Sequence, residues 1–355
     1  MITPKFPSVK QSFHSELKRR INEYFETTGK SSTGDSKLYT KAIIFFSAFV
    51  LLYVHLVFFT PALVWALLEC VLLGFVVAGI GFNIMHDGAH GSFSRYKWLN
   101  NLAAYSLNIL GGSSFMWNVK HNVIHHAYTN VDGIDDDIDI QPWMRMSTTQ
   151  PKLAMHKYQH FYFWFLYSML YILWIFVLDF QKYFKQKIGD MPLKKMNAWD
   201  HTAFWGFKLG FIFLFVGMPI YILGFIPWMI GFLTFTIIAG FVISIIFQLA
   251  HTVEHTAFPV ADKDTGKLED EWAIHQLKTT ANFAPKSKLI SWFVGGLNFQ
   301  IEHHLFPKIS HVHYPALRKI IKQACSEFNV PYVEYRRMRH AVFSHVNFLK
   351  QMGRA

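Results

Sequence analysis

The sequence predicts an all-α integral membrane protein, because long apolar segments, few charged residues and clustered histidines occur together in it. Of its 355 residues, 52% are hydrophobic and only 16% are charged. A soluble domain averages about 25% charged residues, so this composition excludes an ordinary soluble fold, a disordered chain, a collagen and a coiled coil. The formal net charge of +11 is typical of a membrane protein with basic cytoplasmic flanks, although nucleic-acid-binding proteins also have an excess of basic residues.

Four apolar segments each approach the length of about 20 residues that a membrane-spanning helix requires. We predict spans at about 42–60, 62–82, 203–225 and 227–250. Only Thr60-Pro61 separates the first two, and a short turn ending at Pro227 separates the last two, so each pair is predicted to form a hairpin. Residues 1–40, 83–202 and 251–355 are then all expected on the cytoplasmic side.

A fifth apolar segment, residues 161–180, is predicted to lie in the membrane interface or to re-enter the membrane rather than to span it. Basic residues flank it on both sides, with Arg145 and Lys157 before it and Lys182 after it. Because basic residues remain cytoplasmic, both flanks are expected on the same side. Another apolar stretch, around residues 102–115, is predicted to be a helix that lies on the membrane surface.

Nineteen histidines are present, and those of interest lie just beyond the ends of predicted spans. They form four clusters: His86 and His90; His121, His125 and His126; His251 and His255; and His303 and His304. Residues four apart lie on one face of a helix, so the rings within a cluster are expected to point at one spot. The four-span topology brings every cluster to one side of the membrane, whereas a fifth span would separate the first two clusters from the last two.

Eight or nine imidazoles on one side of a membrane predict a site for two metal ions, since one ion takes three or four ligands. Imidazole suits zinc, copper, iron and nickel, so ligand type alone does not choose the metal. A zinc hydrolase needs only three protein ligands, whereas a redox-active pair held by neutral ligands suits the activation of dioxygen. The two cysteines, Cys70 and Cys325, are too few for a four-cysteine zinc site.

Acidic residues inside the clusters are candidates to orient the imidazoles, because metal-binding histidines usually donate their second nitrogen to a carboxylate or carbonyl. Asp87, Glu254 and Glu302 occupy such positions, and His255 is a further candidate beside His251. Solvation of helix ends is an equally good explanation for each carboxylate. The acidic run 135–139 lacks the glycine and glutamate of an EF-hand loop, so it is predicted to be a solvated loop or a helix start.

Several other polar residues are expected to have no role in metal binding. His311 and His313 are candidates to support the metal ligands, but a surface position is favoured for both, and His275 is expected to be a polar anchor near the membrane. Glu69 lies inside the second predicted span, where an ionisable residue is functional by default. Its position near the hairpin turn instead predicts a structural pair with His55.

The histidine clusters resemble the three histidine boxes of the integral-membrane fatty acid desaturases. The context GGLNFQIEHHLFPKISHVHYPAL is similar to the front-end branch of that family, which includes delta-6, delta-5 and linoleoyl-CoA desaturase-like proteins, and Gln300 is the mark of that branch. The resemblance covers roughly residues 40–330. The matching residues are, in chain order, His86 and His90; His121, His125 and His126; and Gln300, His303 and His304.

The resemblance implies four transmembrane helices beneath a cytosolic cap that holds a di-iron centre. It implies a cytosolic segment at 1–40, a desaturase domain at 41–330 and a cytosolic tail at 331–355. Gln300 replaces a histidine found in the stearoyl-CoA type, so direct binding, binding through water and no binding all stay open for it. The implied iron ligands are His86, His90, His121, His125, His126, His303 and His304 of the boxes, with His251 after the last span.

The implied reaction is the removal of two hydrogens from adjacent methylenes of a long acyl chain, with dioxygen as the oxidant, to give water and a cis double bond. A narrow apolar tunnel must fix the reacting carbon, and Phe115, Trp117, Trp292 and Phe299 are candidates to line it, although core packing or membrane anchoring is the favoured role of each one taken singly. The sequence contains no haem motif, flavin fingerprint or cysteine set for an iron–sulfur cluster. A separate donor such as ferredoxin or cytochrome b5 is therefore expected to dock on basic residues of the cytoplasmic face.

Other functions stay open at this point. A membrane di-iron hydroxylase or monooxygenase acting on a lipid would share the boxes and differ in its product. A metal transporter should hold its histidines in the middle of the membrane, and a non-catalytic receptor should have lost histidines from the boxes. The choice between acyl-CoA and acyl-lipid substrates, and the position of the double bond, are open.

Overall fold

The computed structural model describes residues 4–8, 12–262 and 264–355, and most of these residues are helical. The helices are α1 (Phe13–Thr28), α2 (Ser36–Val54), α3 (Leu63–Ile80), α4 (His86–His90), α5 (Lys97–Ile109), α6 (Ser114–Trp117), α7 (His126–Tyr128), α8 (Gln159–Leu173), α9 (Asp179–Lys185), α10 (Ala198–Ile212), α11 (Met218–Leu223), α12 (Phe225–His251), α13 (Trp272–Thr279), α14 (Lys288–Phe293), α15 (Gln300–Leu305), α16 (Tyr314–Glu327) and α17 (Met338–Met352).

Short π-helical and 3₁₀ turns extend or join several of these helices. The π-helical turns are His55–Phe59, Gly81–Met85, Asn118–His125, Trp174–Leu178 and Phe213–Gly217, and the 3₁₀ turns are Ala154–Tyr158 and His311–His313. Two pairs of two-residue strands complete the fold: β1 (Lys187–Ile188) is antiparallel to β2 (Met191–Pro192), and β3 (Asn282–Phe283) is parallel to β4 (Glu334–Tyr335). The predicted all-α class therefore agrees with the structure.

Five continuous helical stretches in the described part of the chain are long and apolar enough to cross a membrane, which makes this an integral membrane protein. They are Ser36–Phe59, Leu63–His90, Ala154–Lys185, Ala198–Leu223 and Phe225–His251. Four of them contain or overlap the predicted spans. The additional stretch, Ala154–Lys185, contains the segment 161–180 and has the same hydropathy of 1.9 as Ala198–Leu223. Length and composition alone thus do not distinguish it from a span.

Helix α12 lies at the centre of the helical bundle, packed along α8 on one side and α3 on the other. Gly240 permits the close approach of α8, because a Cβ atom there would lie 2.4 Å from the carbonyl oxygen of Ser168. Lipid provides no hydrophobic force that drives helices together, and small residues at helix crossings let the backbones pack closely instead. The middle of α12 is thus held closely against α8.

The helix Ala154–Lys185 contacts segments next to the histidine clusters at two separate points. Near its middle, the Tyr167 hydroxyl lies 2.9 Å from Nε2 of His345, whose Nδ1 is 2.7 Å from the carbonyl oxygen of Thr252. Near its end, the Lys182 ammonium donates to Asp136 at 2.9 Å. Thr252 directly follows His251, and Asp136 follows the second histidine box.

A second apolar core forms outside the bundle of long apolar helices. It lies where α1, α13, α15 and α16 meet. Helix α1 is well defined at both ends, since the Ser12 side chain caps its first turn and Gly29 ends it in a left-handed conformation. Leu17 and Ile21 of α1 pack in the same core as Ile321 of α16. This core supports α13 and α15 beside the histidine cluster.

Candidate metal centre

The structure brings the eight histidines that are predicted as metal ligands into one buried cluster. Ring centroids of His86 and His303 lie 4.4 Å apart, and so do those of His126 and His304. The cluster consists of His86, His90, His121, His125, His126, His251, His303 and His304, all of them buried. Imidazoles from four separate segments of the chain therefore meet at one place.

Two groups within the cluster have nitrogen atoms close enough to share one metal ion each. The first group is His86, His90, His121 and His303, and the second is His125, His251 and His304. In each group the candidate ligand atoms lie within 4.8 Å of one another. His126 lies between the groups, and one of its ring nitrogens lies within 4.8 Å of a ring nitrogen of His303 and of His304. The arrangement suits two neighbouring ions.

Most of the rings present a buried nitrogen that has no hydrogen-bond partner among the described residues. These atoms are Nε2 of His86, His90, His125, His251, His303 and His304, and Nδ1 of His126. An unsatisfied buried polar atom costs about 1–3 kcal/mol, so seven of them in one cluster would be strongly destabilising. Metal coordination would satisfy all of them, and the residues therefore fit a metal centre.

The second nitrogen of four of these rings is held by a neighbouring group. Metal-binding histidines are oriented in this manner, through a carboxylate, a carbonyl or a comparable acceptor. The partners are a carboxylate oxygen of Asp135 for His125 at 3.0 Å, the carbonyl oxygen of Thr279 for His251 at 3.2 Å, the hydroxyl of Tyr314 for His303 at 3.1 Å and Oε1 of Gln276 for His304 at 2.8 Å.

Burial keeps the imidazoles in the neutral form that binds metals. It lowers the pKa of His303 and of His304 well below the ordinary value, and the neighbouring imidazoles lower it further. His125 differs: burial lowers its pKa, but the carboxylates of Asp135 and Asp137 outweigh burial and raise the pKa above its ordinary value. The second group therefore has a more basic ligand, which favours a cation beside it.

Local structure explains how the first box is placed. His86 and His90 begin and end α4, which continues α3 through the π-helical turn Gly81–Met85. Gly88 between them packs against α5, because a Cβ atom there would lie 2.6 Å from Cβ of Ala103. The two imidazoles are thus carried at the end of a rigid membrane helix.

The other histidines also lie at helix ends or on short helices. The second box occupies the π-helical turn Asn118–His125 and the residue after it, and His251 is the last residue of α12. Gln300 is the first residue of α15, which carries His303 and His304, and its side chain is buried.

Comparison with known proteins agrees with this geometry. A family model described as Fatty acid desaturase matches residues 62–336. The chain belongs to the fatty acid desaturase family. It is 37% identical over 344 residues to an sn-1 linoleoyl-lipid 6-desaturase of Arthrospira platensis, covering 96% of this chain and 92% of the relative.

Two further relatives are similar over almost the whole desaturase chain. An sn-1 linoleoyl-lipid 6-desaturase of Synechocystis sp. is 37% identical over 359 residues, covering 98% of this chain and 97% of the relative. An acyl-lipid (8-3)-desaturase of Physcomitrium patens is 35% identical over 349 residues, covering 97% of this chain and 72% of the relative. The protein is thus a membrane fatty acid desaturase, an oxidoreductase, and the front-end resemblance is confirmed.

A small apolar cavity of about 30 Å³ lies beside the first histidine box of the desaturase. Of the four aromatic candidates, Trp117 lines it, whereas Trp292 stacks on Phe45 and Phe299 lies in the core around α16. Its lining includes Val77, Met85, His86, Leu107, Trp117 and Tyr171.

Asp87 and Glu302 are buried, but their carboxylates bind groups other than the box imidazoles. Asp87 accepts a hydrogen bond from Ser310 at 2.7 Å and lies 3.0 Å from Nδ1 of His311. Glu302 accepts from the Tyr332 hydroxyl at 2.7 Å, and burial raises its pKa to about 7. These carboxylates therefore hold α4 and α15 against neighbouring segments. They influence the box imidazoles only indirectly, through the positions of these helices.

Glu254 and His255 are not brought to the cluster, which corrects the expectation that they orient it. Both are exposed, and the Glu254 carboxylate accepts a hydrogen bond from Gln351 at 3.1 Å. The reason is that α12 ends at His251: Thr252 has φ −121° and ψ 63°, outside the helical region. The four-residue spacing from His251 therefore no longer places His255 on the same face.

The acidic run 135–139 is not simply a solvated loop, and this prediction was wrong for its first residues. Asp135 is buried and accepts from the backbone N–H of Asn130 at 2.8 Å as well as facing His125. Asp136 lies 2.9 Å from the ammonium of Lys120. The EF-hand comparison could not reveal this role, because the carboxylate serves a histidine ten residues earlier.

The expected surface position of His311 and His313 was also wrong, since both are buried. His311 lies between Asp87 and the ammonium of Lys41, which is 3.2 Å from its Nε2. His275 is buried as well, with Nε2 3.0 Å from the carbonyl oxygen of Thr129.

The predicted pair of Glu69 and His55 is confirmed. Nδ1 of His55 lies 2.9 Å from a carboxylate oxygen of Glu69.

Proposed function

We propose that this desaturase is a front-end enzyme that inserts a cis double bond into an acyl chain esterified to a glycerolipid. The observation that carries the proposal is the convergence of seven unpartnered imidazole nitrogens, counted over the described residues, beside an apolar cavity. The names of the relatives support the substrate class, since they specify acyl-lipid chains and double bonds near the carboxyl end.

We propose two irons as the metals of the histidine cluster. The ligands are His86, His90, His121 and His303 for one ion and His125, His251 and His304 for the other, with His126 between them, and Gln300 is a weak or indirect ligand. Imidazole is a suitable ligand for iron, and desaturation is a redox reaction. When bound, the irons would use dioxygen and two electrons to oxidise the acyl chain and form water.

The contribution of the chain itself is to position two methylenes and to exclude water. The cavity beside His86 is lined by apolar side chains, so an acyl chain would break no hydrogen bonds there, but these side chains must move apart to admit it. Met85 and Trp117 line the cavity next to the histidine boxes and would hold the reacting carbons there. Correct positioning alone can lower a barrier by several kcal/mol, up to about 7–11 kcal/mol in ideal cases.

We propose that Ala154–Lys185 does not cross the membrane and that the other four long helices do. Contacts near both of its ends support this. Gln159 near its start donates to the carbonyl oxygen of Leu349 in α17, the helix that His345 joins to Thr252, and Lys182 near its end binds Asp136. A full crossing would require one end of the helix to lie on the far side. The basic flanks then place the cluster on the cytoplasmic side.

An external electron donor of the ferredoxin or cytochrome b5 type is part of the proposal. Each turnover needs two electrons, and the sequence has no motif for a redox cofactor besides the histidine cluster. Dioxygen and membrane lipid complete the set of partners.

Expression in a host that is fed defined fatty acids tests the proposed function. Mass spectrometry of the host glycerolipids should show a new cis double bond between an existing double bond and the carboxyl group. A His303→Ala variant should lose this product, whereas the His55→Ala variant should keep it, since His55 pairs with Glu69 away from the cluster. Hydroxylated chains in place of the new double bond would contradict desaturation.

A further inference from the structure

Helix α13, which belongs to none of the three histidine boxes, contributes several contacts to the candidate metal centre. The indole N–H of Trp272 donates to the carbonyl oxygen of His126 at 3.1 Å. The carbonyl oxygen of Thr279 accepts from His251. The most central contact is that of Gln276, whose side chain is fully buried between the second and third boxes.

The orientation of the Gln276 amide is determined by its surroundings. Its Nε2 lies 3.2 Å from the carbonyl oxygen of His126, a group that can only accept a hydrogen bond. The amide oxygen must therefore face the other way, towards Nδ1 of His304 at 2.8 Å. The Thr129 hydroxyl lies 3.0 Å from the same oxygen.

This orientation selects one tautomer of His304. Because Oε1 of Gln276 accepts, the Nδ1 atom of His304 must carry the hydrogen, which leaves Nε2 with a free lone pair. Nε2 is the atom that has no partner among the residues the structure describes. It belongs to the group formed with His125 and His251.

We infer that Gln276 is a positioning residue for the second metal ion: it holds His304 in the tautomer and orientation needed for Nε2 to bind, and links that ring to the backbone of the second box. This inference rests on the proposed metal ligands. Partners of this kind change metal affinity or activity by about 10–100-fold when removed, so Gln276 should control how firmly one of the two irons is held.

Two substitutions separate positioning from packing. Gln276→Met has nearly the same length and removes all three hydrogen bonds of the amide, whereas Gln276→Glu keeps an acceptor for His304 and Thr129 and gives up the donor to His126. Gln323→Met is the matched control, because Gln323 is exposed on α16 and donates to Glu327. All three variants are made in the full-length protein and purified with iron.

The readout is the rate at which iron leaves the purified holoenzyme when a ferrous chelator is added under reducing conditions without lipid. We expect Gln276→Met to release one of its two irons about 10–100-fold faster than the wild type. Gln276→Glu and Gln323→Met should both release iron at close to the wild-type rate. Loading of only one iron by Gln276→Met, with full loading of Gln276→Glu, would also support the inference.

Wild-type release rates in Gln276→Met, or equal acceleration in the Met and Glu variants, would overturn it. Thermal unfolding of each variant checks the fold, since a purely structural role would lower stability in both variants alike. The assay is independent of desaturation. A wild-type protein that holds two irons but forms no double bond would contradict the proposed function and leave the role of Gln276 standing.

Discussion

Nδ1 of His125 lies 3.0 Å from a carboxylate oxygen of Asp135, and both side chains are almost completely buried. The other oxygen of Asp135 accepts from the backbone N–H of Asp137 at 3.1 Å, so the carboxylate is fixed by its own loop. A fixed carboxylate orients the ring and increases the basicity of its free nitrogen. The loop after the second histidine box thus serves the metal centre directly.

Replacing Asp135 by Asn should weaken iron binding, because an amide keeps an acceptor for His125 but loses the negative charge that makes the ring basic. We expect metal affinity or activity to fall by about 10–100-fold. Iron content after gel filtration and the desaturation rate measure this effect. Asp139→Asn is the matched control, since Asp139 is exposed in the same loop, and an equal loss in both variants would contradict the role of Asp135.

Gln300→Ala should lower the activity but retain more iron than His303→Ala or His304→Ala. An amide is a poorer ligand for iron than an imidazole, so its loss should remove less metal. Gln300 is buried at the start of α15, about one helical turn from His303 and His304. Iron analysis of the three purified variants decides the matter, and equal iron loss in all of them would show that Gln300 is a full ligand.

His345 should make the fold sensitive to acid. Burial lowers its pKa to about 4, against an ordinary value of 6.5. The neutral ring is satisfied on both sides, since Nδ1 donates to the carbonyl oxygen of Thr252 and Nε2 accepts from Tyr167. Between pH 6.5 and 4 the unfolded chain therefore binds a proton that the folded chain does not.

Stability is thus expected to decrease as the pH falls through this window, by on the order of 3 kcal/mol from His345 alone. Thermal unfolding in detergent at pH 7.5, 6 and 5 measures the trend. His345→Gln should be less stable than the wild type at pH 7.5 but should lose less stability on acidification. Parallel pH profiles of the two proteins would rule out a contribution from His345.

Electron transfer from an acidic donor should slow as salt rises from about 0.05 to 0.5 M, a range over which the screening length shortens roughly threefold. Exposed basic residues are available for docking, among them Lys319, Arg336 and Arg337. Lys182 and Arg318 are less available, because they pair with Asp136 and Glu334. Rates measured under donor-limited conditions that are flat with salt, or unchanged by reversal of the exposed charges, would exclude electrostatic docking.

The eight clustered imidazoles could be predicted from the sequence because their signal is local. Each box places its histidines within six residues, next to the end of an apolar segment, and α3 and α12 carry two of the clusters to the same place. The His55–Glu69 pair was predictable for a similar reason, since a tight hairpin forces the two residues together.

The groups that orient the imidazoles could not be predicted in the same way, because their contacts depend on tertiary packing. Gln276 is 28 residues from His304, and nothing in the sequence near it marks it as a partner. The prediction for His255 was wrong because its four-residue spacing from His251 assumes that the helix continues, whereas α12 ends at His251. Segment 161–180 has the composition of a span, and only its basic flanks and its contacts argue otherwise.

Metal analysis of purified protein that desaturates is the most direct test of the central claim, that the histidine cluster holds a di-iron centre. About two irons per chain are expected when the protein is produced with iron available, and His303→Ala should reduce that number. One zinc and no iron in protein with desaturase activity would contradict the claim. Zinc in inactive protein would not, because zinc outcompetes ferrous iron at nitrogen ligands.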